Sequence, residues 1–187
     1  MRNQRQWPAL VLAGLLATSP SVAAAQQGEP GTEAYNRDAA INTEIRHELL
    51  TLPYTGVFDW FEWRHDKGIV TLSGSVWRPI TRDDAARAVK RVQGVDEVVN
   101  EIEVLPTSQH DDRLRMQLYR AVYGRTGLER YAVRANPPIH IIVKNGRVRL
   151  EGAVANELER TLVYSEARSV SGVFEVTNNL KVDSDPS

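Results

Sequence analysis

Four histidines, His47, His65, His110 and His140, are the side chains best suited to acid–base or metal chemistry in this chain. They fall on a helical stretch, a strand, a connecting segment and a second strand, with no paired spacing that would put two imidazoles on one metal ion. His65 lies on the apolar register of its strand and reads as a satisfied core or edge histidine, whereas His140 lies on the opposite register and is expected to face solvent. Ser73-Gly74-Ser75 resembles a nucleophile only by composition, because it sits inside a repeated strand whose counterpart reads Glu151-Gly152-Ala153. Asp83-Asp84 follows Thr81 in a helix-capping pattern, which explains the acids without an acid–base role. Gly68 and Gly74 are separated by a strand rather than a phosphate-cradling loop. There is no cysteine, so thiolate metal sites, thiol nucleophiles and disulfides are excluded. These residues assemble no catalytic constellation; the expectation is a protein that is not an enzyme and has no metal or cofactor.

What must position the remaining side chains is a unit that occurs twice. Lys67-Gly68-Ile69-Val70-Thr71-Leu72-Ser73-Gly74-Ser75-Val76 returns as Asn145-Gly146-Arg147-Val148-Arg149-Leu150-Glu151-Gly152-Ala153-Val154. Gly94-Val95-Asp96-Glu97-Val98-Val99-Asn100 returns as Gly172-Val173-Phe174-Glu175-Val176-Thr177-Asn178. Both pairs share one offset of about 78 residues. Each copy starts with a helix, expected from about Asp38 to Leu50 in the first, where Ile41, Ile45 and Leu49 form a stripe matched by Leu114, Leu118 and Val122. A hairpin follows, with Lys67-Gly68 or Asn145-Gly146 at its turn. Gly74 and Gly152 interrupt the return strand, where a close backbone approach is expected. Second helices are expected over Arg82–Val92 and Leu158–Val170, stopped by Gly94 and Gly172, and last strands over Glu97–Val104 and Glu175–Val182. The pattern is α+β: helix, strand, strand, helix, strand, twice. Each copy should form a three-stranded mixed sheet with two helices on one face, the last strand running parallel to its neighbour.

The chain opens with Arg2 and Arg5, an apolar run from Ala9 to Ala17, Pro20 and then Ala23-Ala24-Ala25, which is the grammar of a secretory signal peptide cut after Ala25. The apolar run is shorter than the roughly 20 residues needed to span a bilayer, so no transmembrane segment is expected in the mature chain. The expected organisation is residues 1–25 as signal peptide, 26–37 as flexible leader, 38–106 as first domain, 107–110 as linker, 111–183 as second domain and 184–187 as tail. An exported, cysteine-free chain of this kind is expected in a bacterial periplasm.

Gly68, Val70, Leu72, Gly74, Val76, Gly94, Val95, Val98 and Asn100, repeated as Gly146, Val148, Leu150, Gly152, Val154, Gly172, Val173, Val176 and Asn178, resemble the motif of the BON domain. That family takes its name from bacterial osmotically induced periplasmic and nodulation proteins. The resemblance covers nearly all of the chain after residue 37 and implies two tandem BON-like domains in a periplasmic protein of the kind that binds phospholipid or supports the cell envelope under osmotic stress. Some two-domain relatives are outer-membrane lipoproteins; this chain lacks the cysteine such an anchor needs, so membrane contact would fall to the folded surface.

The copies differ in surface chemistry. Residues 26–112 carry a net charge of about −7, residues 113–149 about +8 and the remainder about −4. The basic block supplies Arg113, Arg120, Arg125, Arg130, Arg134, Arg147 and Arg149 as candidate lipid- or anion-binding residues together with Tyr123 and Tyr131, and Tyr119 is interleaved with them as well. Guanidinium groups fork phosphate and tyrosine rings suit a membrane interface, so the expected partner is anionic phospholipid or another anionic envelope component. The alternative is that these charges dock onto the acidic first copy. Export argues against nucleic acid as the partner. The first copy instead clusters Phe58, Trp60, Phe61, Trp63 and Trp77. Phe61 and Trp63 take the core register, leaving Phe58, Trp60 and Trp77 either as an exposed patch for a protein partner or as a face covered by the second copy.

Overall fold

A computed structural model describes residues 30–183 apart from residue 135, with side chains from residue 35 onward. The expected signal peptide, the start of the leader and the tail at 184–187 lie outside the described residues.

The two copies fold alike. In the first, α1 (Pro30–Leu50) and α2 (Pro79–Lys90) cover β1 (Trp60–Asp66), β2 (Ile69–Val76), β3 (Glu97–Asn100) and β4 (Glu103–Val104). In the second, α3 (Gln109–Tyr123) and α4 (Glu157–Ser169) cover β5 (Ile139–Lys144), β6 (Arg147–Val154), β7 (Glu175–Asn178) and β8 (Lys181–Val182). β1 and β2 form an antiparallel hairpin, and β3 and β4 both run parallel to β2. The second sheet repeats this order with β5, β6, β7 and β8.

The last strand of each sheet is broken in two at the motif asparagine. Asn100 Oδ1 accepts from Ile102 N at 3.2 Å while its Nδ2 donates to Arg82 O at 3.0 Å. Asn178 does the same with Leu180 N and Arg160 O. Each asparagine thus satisfies the backbone at the break and ties the strand to the preceding helix. Gly74 and Gly152 have φ near +113° and +106°, and a Cβ on either would collide with the carbonyl oxygen of Trp60 or Pro138. The close approach expected from the repeated glycine is therefore to the backbone of the paired hairpin strand.

α1 begins at Pro30 rather than Asp38, so residues 30–37 are helical and not a flexible leader. Proline is tolerated in a first helical turn because its missing N–H would have no intrahelical acceptor there. α2 likewise begins at Pro79, and no side chain caps it; Thr81, expected as a cap, is buried inside the helix. α4 carries the cap that α2 lacks: Asn156 Oδ1 accepts from Glu159 N at 2.9 Å.

The first core joins Ile41, Ile45 and Leu49 to Val70, Leu72, Ala85 and Val89. The second joins Leu114, Leu118 and Val122 to Ile139, Ile141, Val148, Leu150 and Val163, and it also takes in Val57 and Phe58 from the α1–β1 connection. The halves are therefore not independent beads. Ile141 N donates to Val57 O at 2.6 Å, so the first half supplies a hydrogen-bond partner to the outer edge of β5.

Candidate functional site

The expected site residues separate into three groups. The first is the outer face of α3. Leu114, Arg115, Leu118 and Val122 turn inward, which leaves Arg113, Met116, Gln117 and Arg120 along one exposed stripe at helical spacing. Neither Arg113 nor Arg120 has an acidic partner among the described residues. Tyr119 flanks the stripe, 37% exposed, its ring 6.5 Å from Phe58 and 5.0 Å from Tyr123. Met116 was not among the expected site residues; its spacing of three from Arg113 and four from Arg120 is the signal that would have found it.

The second group is the segment after α3, which carries the residues that lengthen the second copy. Tyr123 and Tyr131 are not surface residues here. Tyr123 is 3% exposed and its hydroxyl donates to Ile139 O. Burial, then the neighbouring Tyr119, push its phenol well above the usual range, so it is a neutral donor at any ordinary pH. Tyr131 is fully buried, donating to Glu159 Oε2 at 2.6 Å and accepting from Ala155 N at 3.0 Å. Burial pushes the Glu159 carboxyl up, but hydrogen bonds from Tyr131, Arg130 and Ala155 N outweigh it and hold it below the usual range. Both tyrosines pin the segment to the core, together with Leu128, and the arginines point outward. Arg130 pairs with Glu159 at 2.6 Å, Arg125 with Glu166 at 3.3 Å, and Arg134 sits over the Tyr131 ring at 5.8 Å.

The third group lies on the outer face of the second sheet. Arg147 pairs with Glu175 at 3.2 Å and Arg149 with Glu151 at 2.9 Å. Lys144 reaches Glu103, and Arg149 donates to Ser75 Oγ at 3.3 Å, so these two cross to the first half. They border a crevice of about 290 Å³ between the halves, where the positive charges are matched by carboxylates. The basic block thus divides: Lys144 and Arg149 take part in docking, whereas Arg113 and Arg120 on α3 are exposed.

The aromatic residues of the first copy sit at the same junction. Phe58 is buried against Trp77, edge to face at 5.7 Å, and Arg115 lies over Trp77 at 5.6 Å. Arg115 is fully buried, donating to Val143 O at 2.7 Å and Asp112 Oδ1 at 2.5 Å. Asp59 accepts from Trp77 N at 2.8 Å and Gly56 N at 3.0 Å. Burial, opposed by those bonds and by Arg78 and Arg115, leaves its carboxyl above the usual range. Of the two readings of the aromatic face, coverage by the second half holds for Phe58, while Trp60 and Trp77 are each half-buried. His140, expected to face solvent, is only partly exposed. It packs at 5.1 Å against Trp60, and burial pushes its imidazole below the ordinary value. Its strand register is outward, but the first half lies over that face.

No helix among the described residues is long and apolar enough to cross a membrane, and no group of three or more potential metal ligands assembles among them. Duplicated α+β modules, joined through an aromatic and ionic seam, define a two-domain α+β protein. The BON domain model matches residues 37–106 and 125–184, and the chain belongs to the BON-domain family. BON domains are generally non-catalytic binding modules, typically periplasmic or envelope-associated, in a family associated with phospholipid binding. Among solved structures, CdsD, a structural protein of the type III secretion system of Chlamydia trachomatis, is similar at 15% identity over 77% of this chain and 92% of that one, with a TM-score of 0.28. A structure of the CdsD C-terminal domain gives 14%, 75% and 96%, with a TM-score of 0.27. Neither likeness bears on function. No curated protein matches the chain.

Proposed function

We propose that this is an exported, periplasmic, non-enzymatic protein of the cell envelope that contacts anionic phospholipid through its second domain. The observation that carries the reading is the α3 stripe: Arg113 and Arg120, exposed and without acidic partners among the described residues, bracket Met116. The arrangement suits a membrane surface, with guanidinium groups on headgroup phosphates and Met116 and the Tyr119 ring at the level of the headgroups. Arg125, Arg130 and Arg134, exposed beyond the C-terminus of α3, extend the basic surface although each already has a neighbour. Buried Tyr123 and Tyr131 serve it only by holding the loop in place.

Flotation with vesicles containing about a third anionic lipid tests the reading at low salt, where surface charge attraction is least screened. Each basic residue near an anionic surface contributes enough that neutralising Arg113 and Arg120 together should weaken binding by about thirtyfold. The Arg113→Gln/Arg120→Gln variant should keep its melting temperature. Unchanged binding by that variant, or equal binding to zwitterionic vesicles, contradicts the reading.

A further inference from the structure

On the other side of the seam a groove of about 500 Å³ runs between β1 of the first domain and β5, β6 and β8 of the second. Its wall includes Trp60, Glu62, His140, Glu151 and Asn179. Trp60 is half-buried, its ring beside His140, and its Nε1 donates to Glu62 Oε1 at 3.0 Å, which holds the indole in one orientation at the groove wall. Glu151, nearly buried, is held by Arg149 Nε at 2.9 Å and Asn179 Nδ2 at 2.8 Å. Both contacts fall on Oε1, and among the described residues no hydrogen bond falls on Oε2. His140, half-buried, lines the groove with its ring, while its Nδ1 is turned away from solvent and has no hydrogen-bond partner. The Asp59 and Gly56 backbones lie beside the ring and favour its charged form, yet neither is in hydrogen-bonding geometry with Nδ1.

The wall is mixed in charge. Arg46 and Lys181 stand against Glu62, Glu151 and Asp183. An anionic headgroup would meet three carboxylates there, and a cationic segment would meet two positive side chains. A neutral molecule with many hydroxyls meets matched acceptors and donors, and the C–H face of its ring packs on an indole. The volume lies within the usual range for small-ligand sites, about 300–1,000 Å³.

We infer that this groove binds a neutral saccharide, with Trp60 as the stacking platform and Glu62, Glu151 and Asn179 taking its hydroxyl or amide groups. The site uses both domains and none of the α3 stripe, so it stands independently of the lipid reading. The test is titration of the isotope-labelled protein with chitotetraose and with maltotetraose, each to about 10 mM, following the indole N–H resonances; weak single-site binding corresponds to a Kd near the millimolar range. Trp60 should shift saturably with at least one of the two while Trp63, bonded to Asn42 in the first domain, stays in place. Trp60→Ala should weaken binding at least tenfold. Glu62 is exposed at the rim, so Glu62→Ala gives a second variant that keeps the fold and should also bind more weakly. Co-sedimentation with insoluble chitin separates the sources: binding to the oligomer alone indicates a free oligosaccharide, and retention on the solid indicates a glycan chain. No shift with either sugar, or a shift that survives Trp60→Ala, overturns the inference. Vesicle flotation of Trp60→Ala should be unchanged, so failure here is separable from failure of the lipid reading.

Discussion

Single side chains at the domain seam make it sensitive to pH. His140 is held neutral by burial, and its ordinary value is 6.5. Above that value the ring is neutral in folded and unfolded chains alike and contributes no pH dependence. As pH falls below it the unfolded chain takes up the proton first, so stability declines until the folded ring titrates as well. The slope from one such group is at most about 1.4 kcal/mol per pH unit. Asp59 works in the opposite direction. Burial raises its carboxyl above 3.8, so in the window between 3.8 and its raised value stability grows as pH falls. His140→Gln should therefore remove much of the loss of melting temperature on going from neutral pH to about one unit below 6.5, a change of at most a few degrees for a chain of this size. Thermal melts of both proteins at the two pH values measure this; parallel pH dependence would show that His140 is not the group responsible.

At the scale of elements, the α1–β1 connection belongs structurally to the second domain. Val57 and Phe58 lie in the second core, and Val57 O holds the Ile141 amide on the outer edge of β5. Phe58→Ala removes a buried ring from that core and should cost about 3–5 kcal/mol. Its distinguishing consequence is local: hydrogen exchange at the Ile141 amide should accelerate more than exchange at Val70, in the first core. Equal acceleration at both sites would mean that the connection only stabilises the chain globally.

These elements also show what periodicity could and could not reveal. The repeated Val-x-Leu-x-Gly-x-Val and Gly-Val-x-x-Val-x-Asn stretches are legible because each position meets a local demand: an inward register, a close backbone approach, a helix stop or a strand break. Ile41, Ile45, Leu49 and their counterparts are legible for the same reason. The helical start at Pro30 is not, because nothing in the polar composition of residues 26–37 distinguishes an exposed helix from a loop. Tyr123, Tyr131 and Phe58 are harder still. Their burial depends on a neighbouring domain or an inserted segment folding over them, which no local pattern encodes. Asp59, Arg115 and His140 became visible as junction residues only once both sheets were in place.

For the whole molecule, the charge asymmetry divides into two uses. Lys144 and Arg149 help to join the halves, with Glu103 and Ser75 as their partners across the seam. Arg113 and Arg120 stay on the outward side of α3. In the proposed account the first domain braces the second and leaves α3 as the membrane-facing element. A nitroxide placed at Gln117, between the two arginines, measures this most directly when compared with one at Arg64, exposed on β1. On anionic vesicles, power-saturation accessibility should put the Gln117 label at headgroup depth and leave the Arg64 label in water. Both labels remaining in water, or the Arg64 label approaching the bilayer instead, would contradict the assignment of α3 as the lipid-binding surface.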